Sequence, residues 1–90
     1  MKSTKLIIYG KVQNVYLRKN IFLKATSLGL AGYVKNNPNG ISVECLIQGN
    51  KRAINLLVEY IKSNPGSALV EKIKTEETEE KNKGFFEIIY

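Results

Sequence analysis

The sequence predicts an α+β sandwich of order βαββαβ with one extra strand: an antiparallel sheet of four strands plus a fifth C-terminal strand, carrying two helices on one face. Three observations lead there. Short apolar runs alternate with two stretches of helical periodicity, the strong turn Asn37-Pro38-Asn39-Gly40 separates two strand-like segments, and Gly, Pro or Asn residues fall at most boundaries between them.

The first strand spans residues 5–10, where Leu6-Ile7-Ile8-Tyr9 is a continuous apolar run short enough for a buried strand. Over residues 17–28, Leu17, Ile21, Phe22, Ala25 and Leu28 recur at helical spacing, and Gly29 supplies a stop. A short strand over 31–36 then meets the turn at 37–40. From 41 to 48, Ile41, Val43, Cys45 and Ile47 alternate onto one face, which completes a β-hairpin. Gly49 and Asn50 open a second helix reaching about residue 61, with Asn50 as N-cap and Ala53, Ile54, Leu57, Val58 and Ile61 as its apolar stripe. Ser63-Asn64-Pro65-Gly66 ends it. A strand through Leu69, Val70 and Ile73 follows. The charged tract 76–81 reads as a solvated connection rather than a metal site, and residues 85–90 form the last strand. This order is that of a ferredoxin-like sandwich, expected to occupy residues 1–90 as one domain.

Composition narrows the function. Hydrophobic residues make up 43% of the 90 and charged residues 24%, the balance of a globular protein able to fold alone. No apolar run approaches the roughly 20 residues needed to span a bilayer, and the first five residues lead into only a short apolar run, so neither a membrane helix nor a signal peptide is expected. Cys45 is the sole cysteine and has no intrachain partner, which fits a reducing cytoplasm, and a monomer is expected. The net charge of +6 is uneven: residues 1–62 carry ten Lys or Arg against two Glu, whereas residues 63–90 carry four Lys against six Glu. A nucleic acid, a phosphorylated metabolite or solubility alone could each account for the basic part.

The absences exclude more. The chain has no His, no Asp and no Trp, which rules out a Ser-His-Asp triad, a phosphohistidine, an aspartyl-phosphate and a His-rich zinc site. Any catalysis has to use Arg, Lys, Glu, Asn, Tyr, Ser, Thr, one Cys or backbone amides. Reactions driven by positioning and electrostatics are favoured.

The stretch Gly10-Lys11-Val12-Gln13-Asn14-Val15-Tyr16-Leu17-Arg18 leaves a strand and delivers an arginine where a helix begins. A loop at a helix N-terminus has unpaired N–H groups and the positive end of the helix dipole, so it can cradle a phosphate without a reactive side chain. In register, Gly10, Val12, Gln13, Val15 and Arg18 resemble the first signature of the acylphosphatase family, G-x-V-Q-G-V-x-F-R. Gly32-Tyr33-Val34-Lys35-Asn36, with Gly40, Val43 and Gly49 beyond, resemble its second. The resemblance extends over nearly the whole chain, to Leu28-Gly29-Leu30, Pro65 and the closing Phe86-Glu87-Ile88-Ile89-Tyr90.

That resemblance implies hydrolysis of a small acyl phosphate to a carboxylate and inorganic phosphate, without metal or cofactor. It implies that Arg18 grips the phosphoryl group, that Asn36 positions the attacking water, and that the backbone of Gln13, Asn14, Val15, Tyr16, Leu17 and Arg18 completes the cradle. Such a division of labour suits phosphoryl transfer, which needs an in-line nucleophile and neutralised equatorial oxygens more than covalent help. Two positions depart from the pattern. Asn14 replaces a glycine, at a cost of roughly 1 kcal/mol if positive φ is required, and its side chain could either crowd the phosphate or donate to it. Leu17 replaces an aromatic residue and keeps apolar volume under the loop.

Two further readings accompany this one. An acylphosphatase-like domain that binds anions without turning them over is motivated by Asn14. A nucleic-acid-binding module is motivated by the pI near 9.5 and by a partial echo of an RNA-recognition strand in residues 83–90. There Phe86 and Glu87 stand where a small residue and an aromatic belong, and the carboxylate would repel phosphate, so no nucleic acid and no membrane partner is expected.

Overall fold

The computed structural model describes residues 2–90. Its elements in chain order are β1 (Ser3–Lys11), α1 (Leu17–Ser27), β2 (Ala31–Asn36), β3 (Ser42–Gln48), α2 (Lys51–Lys62), β4 (Leu69–Thr78) and β5 (Phe86–Ile89). They form one five-stranded sheet in the order β4-β1-β3-β2-β5.

The sheet is mixed, which corrects the antiparallel expectation. β1 runs antiparallel to β3 and β4, and β2 runs antiparallel to β3, but β5 pairs parallel with β2 through Gly32↔Phe86 to Lys35↔Ile89. The reason is topological. β4 occupies one edge, so the chain has to cross the end of the sheet to reach the other edge, and it then runs back in the sense of β1 and β2.

Alternation along the strands sorts the side chains. Leu6 and Ile8 on β1, Val34 on β2, and Val43, Cys45 and Ile47 on β3 are fully buried in one cluster with Leu17, Ile21 and Ala25 of α1 and Leu57 and Ile61 of α2. Burying each such Val, Leu or Ile contributes about 1.5–3 kcal/mol, so this layer holds the helices to the sheet. Cys45 sits within it as a small core residue, and burial pushes its thiol pKa up, which leaves it unreactive. Ile41 differs from the expectation. It precedes β3 and is exposed, because Asn39 Oδ1 accepts from the N–H groups of both Ile41 and Ser42 and holds the chain in a turn up to Ser42.

The helix ends behave as their residues predict. Gly29 takes φ 72°, and its N–H and that of Leu30 donate to Thr26 and Ala25 carbonyls, which closes α1 in a Schellman motif. Asn50 caps α2, its Oδ1 accepting from the Ala53 N–H at 3.0 Å. The charged tract is a correction. Glu76, Glu77 and Thr78 belong to β4 and stand opposite Lys5, Thr4 and Ser3, so only the segment after Thr78 is a connection. β4 is an edge strand, and an edge of alternating Lys and Glu resists pairing with other chains.

Two glycines allow the backbones of neighbouring strands to approach closely. A Cβ on Gly10 would lie 2.2 Å from the Leu69 carbonyl oxygen, and one on Gly32 would lie 1.8 Å from that of Leu46. Gly10 stands at a register shift, a β-bulge that bends β1 as it leaves the sheet. Because β1, β2 and β5 run the same way, the loop after β1, Asn36 at the end of β2 and Ile89 at the end of β5 all arrive at one end of the sheet.

Candidate active site

The loop from β1 to α1 is pinned from below. Val12, Val15 and Leu17 are buried, while Asn14 and Tyr16 between them are exposed. Leu17 therefore does keep apolar volume under the loop. Asn14 takes φ 60° and Tyr16 φ 61°, so the backbone turns left-handed at alternate positions and curls its amides toward one side. Asn tolerates that conformation better than any other non-glycine residue, and Asn14 thus retains the curvature that a glycine would give.

The start of α1 has a donor surplus. Tyr16 occupies the N-cap without a capping side-chain hydrogen bond, no acidic residue lies in the first turn, and among the described residues the amides of residues 14–18 donate to no other group. Arg18 then adds a cation at the positive end of the helix dipole, which by itself costs about 0.3–1 kcal/mol. An anion in the loop would reverse that penalty and accept from the free amides.

Gln13 does something the sequence did not reveal. Its Nε2 donates to the carbonyls of Asn37 and Ser42, both at 2.8 Å, and so ties the loop to the β2–β3 turn. Gln13→Ala is expected to lower stability by about 1–3 kcal/mol for two lost hydrogen bonds, read as a shift in the urea midpoint.

Asn36 and Arg18 face a common cleft of about 500 Å³, lined also by Val12, Asn14, Tyr16, Leu17, Lys19, Ile88 and Tyr90. No carboxylate side chain lines it. The Oδ1 of Asn36 is buried and has no hydrogen-bond partner, the one such side-chain atom among the described residues. Arg18 Nη1 donates to the Ile89 carbonyl at 3.3 Å, and its guanidinium carbon lies 5.1 Å from the centre of the Tyr90 ring. The terminal strand thus supplies a resting place for Arg18. Sequence reasoning had no signal for that contact, because it depends on the parallel pairing of β5.

Of the residues expected at the site, Asn14, Tyr16, Leu17, Arg18 and Asn36 are brought together around this cleft. The side chains of Gln13 and Val15 point elsewhere, the first to the turn and the second into the core. Among the described residues no three Cys or Glu side chains cluster as a metal site. With its backbone already suited to the loop, Asn14→Gly is expected to change turnover by less than about fivefold, the equivalent of roughly 1 kcal/mol, in a steady-state assay.

Comparison with known proteins identifies the family and the fold. The family model described as Acylphosphatase matches residues 4–88. A curated acylphosphatase of Thiobacillus denitrificans is 41% identical over 85 residues, which cover 94% of this chain and 94% of that protein. The fold is similar to the crystal structure of acylphosphatase from Bacillus subtilis, with a TM-score of 0.89 and 32% identity over the whole of both chains. It is equally similar to an acylphosphatase from Coxiella burnetii, with a TM-score of 0.89 and 30% identity over 98% of this chain and 92% of that one. The ferredoxin-like arrangement, the two signatures and these likenesses agree, and the chain belongs to the acylphosphatase family.

Proposed function

We propose that this acylphosphatase acts as a cytoplasmic monomer on small acyl phosphates, with Arg18 and the amides of residues 13–18 holding the phosphoryl group and Asn36 placing the water. The observation that carries the reading is that Asn36 lines the same cleft as Arg18 and has a buried side-chain Oδ1 without a partner. Leaving a buried acceptor unpaired costs about 1–3 kcal/mol, a cost that makes sense where a water is to be bound and oriented.

The chemistry follows from charge. The water, placed by donating an O–H to Asn36 Oδ1, attacks phosphorus through its oxygen in line with the carboxylate leaving group. The bond from phosphorus to the acyl oxygen breaks, its electron pair stays with the carboxylate, and the products are that carboxylate and inorganic phosphate. A carboxylate, whose conjugate acid has a pKa of about 4, departs without a general acid. With no His or Asp in the chain, the water's proton passes to a phosphoryl oxygen of the substrate. Arg18 and the free amides stabilise charge on the equatorial oxygens, which lowers the barrier without any covalent intermediate.

A phosphate-release assay on a simple acyl phosphate tests the function. Release in step with loss of the acyl phosphate, unaffected by a chelator, is expected. No release above the uncatalysed rate would contradict it.

A further inference from the structure

A second cluster of charged groups lies on the sheet face away from the helices. Tyr33 Oη stands 2.5 Å from Glu44 Oε2 and 2.7 Å from Glu80 Oε2, and Lys5 Nζ pairs with Glu80 Oε1 at 2.7 Å. Lys35 Nζ is 3.8 Å and Lys5 Nζ 3.9 Å from Glu44 Oε2. Glu80 belongs to the crossing segment between β4 and β5, so the cluster ties that segment to β1, β2 and β3 at once. The tie continues along the segment. Ser3 Oγ donates to the Glu80 carbonyl, Asn82 Nδ2 to Gln48 Oε1, the Gly84 N–H to Asn82 Oδ1, and the Gly32 N–H to the Phe85 carbonyl.

We infer that Glu80 and Tyr33 are positioning residues for the reaction proposed above, holding Arg18 in place from the far side of the sheet. β5 has four residues and a single pairing partner, and besides that pairing only Phe86 and Ile88 seat it on the core. Its placement depends on the anchored segment before it. The far end of β5 carries the Ile89 carbonyl and Tyr90, which are the two groups that hold Arg18. The chain from Glu80 to the cleft is thus tethered at Glu80, Asn82 and Phe85 and along β5 before it ends on the clamp. Hydrogen bonds from Lys5 and Tyr33 hold the Glu80 carboxyl below its usual pKa, while burial and the Glu44 and Glu80 carboxylates keep the Tyr33 hydroxyl protonated, its one hydrogen shared between the two.

Glu80→Gln and Tyr33→Phe test this, with Glu79→Gln as a control that removes a neighbouring exposed carboxylate. The chain has two arginines, Arg18 and Arg52, so the side-chain Nε–H NMR signal of Arg18 is assigned by comparison with Arg18→Lys. In both test variants the Arg18 signal is expected to shift or broaden in the protein without substrate, and the inhibition constant of inorganic phosphate to rise roughly 3- to 30-fold. The control should change neither. An Arg18 signal and phosphate inhibition identical to the parent in a folded Glu80→Gln or Tyr33→Phe protein would overturn the inference, even if the melting temperature fell. The NMR signal needs no turnover, so a parent protein without acylphosphatase activity would refute the proposed function and leave this test standing.

Discussion

Arg18→Ala is expected to lower turnover of an acyl phosphate by about 10²- to 10³-fold, equivalent to roughly 2.7–4 kcal/mol, while leaving the protein folded. The size follows from what Arg18 faces: a cleft lined by no carboxylate side chain, free amides on one wall and the N-terminal end of α1 beneath. Removing it takes away the one guanidinium that can meet developing charge on the phosphoryl oxygens. Stability has little to lose, because the side chain's own contacts are one long hydrogen bond to the Ile89 carbonyl and the exposed face of Tyr90. Relief of its repulsion with the helix dipole offsets part of that loss, by about 0.3–1 kcal/mol. Arg18→Lys should restore only part of the activity, since an ammonium keeps the charge but not the planar fork that meets two phosphate oxygens. Steady-state kinetics beside a urea titration checks both halves. Near-normal turnover by the alanine variant would remove Arg18 from the reaction.

Asn36→Ala is expected to separate chemistry from binding. Its kcat should fall by about 10²-fold, the scale of a misplaced nucleophile, with the inhibition constant of inorganic phosphate nearly unchanged. The stability prediction has an unusual sign. Because the Asn36 Oδ1 is buried without a partner, losing it removes an unsatisfied acceptor that costs about 1–3 kcal/mol, so the urea midpoint should hold or rise. A site group that weakens the fold is expected where activity and stability compete. Equal losses in kcat and in phosphate affinity would make Asn36 a binding residue instead.

Most of the fold was legible because most of it is local. The helical spacing of Leu17, Ile21 and Ala25 and the alternation of Val43, Cys45 and Ile47 are properties of neighbouring residues, and the structure buries all six as that periodicity requires. The direction of β5 was not legible, since it is set by which edge β4 leaves free. Nor was the strand character of Glu76 and Glu77. An edge strand exposed on most of its surface carries the same polar composition as a loop, and only its register against Thr4 and Lys5 distinguishes the two.

The candidate site divides the same way. The loop at 10–18 can be read as an anion cradle from a glycine, a helix start and an arginine, all contiguous. That Asn36 belongs with it came from resemblance to a family, and the physical cause is that β1 and β2 run parallel with β3 between them, so their C-terminal ends meet. Neither Gln13 as a strut to the turn nor Ile89 and Tyr90 as the seat of Arg18 had a sequence signal. Both contacts span distant parts of the chain, 24 and 71 residues apart for the hydrogen bonds concerned. Asn14 moved in the other direction. From sequence it was the departure that put the loop's curvature in question, and its φ of 60° accommodates that curvature directly.

In the proposed reaction, water placed by Asn36 attacks the phosphorus of an acyl phosphate held by Arg18. Hydrolysis of a simple acyl phosphate by the parent protein in ¹⁸O-labelled water, followed by mass spectrometry of both products, tests it directly. One labelled oxygen per turnover should appear in the inorganic phosphate and none in the carboxylate. Label in the carboxylate would place the attack on the acyl carbon and contradict the account.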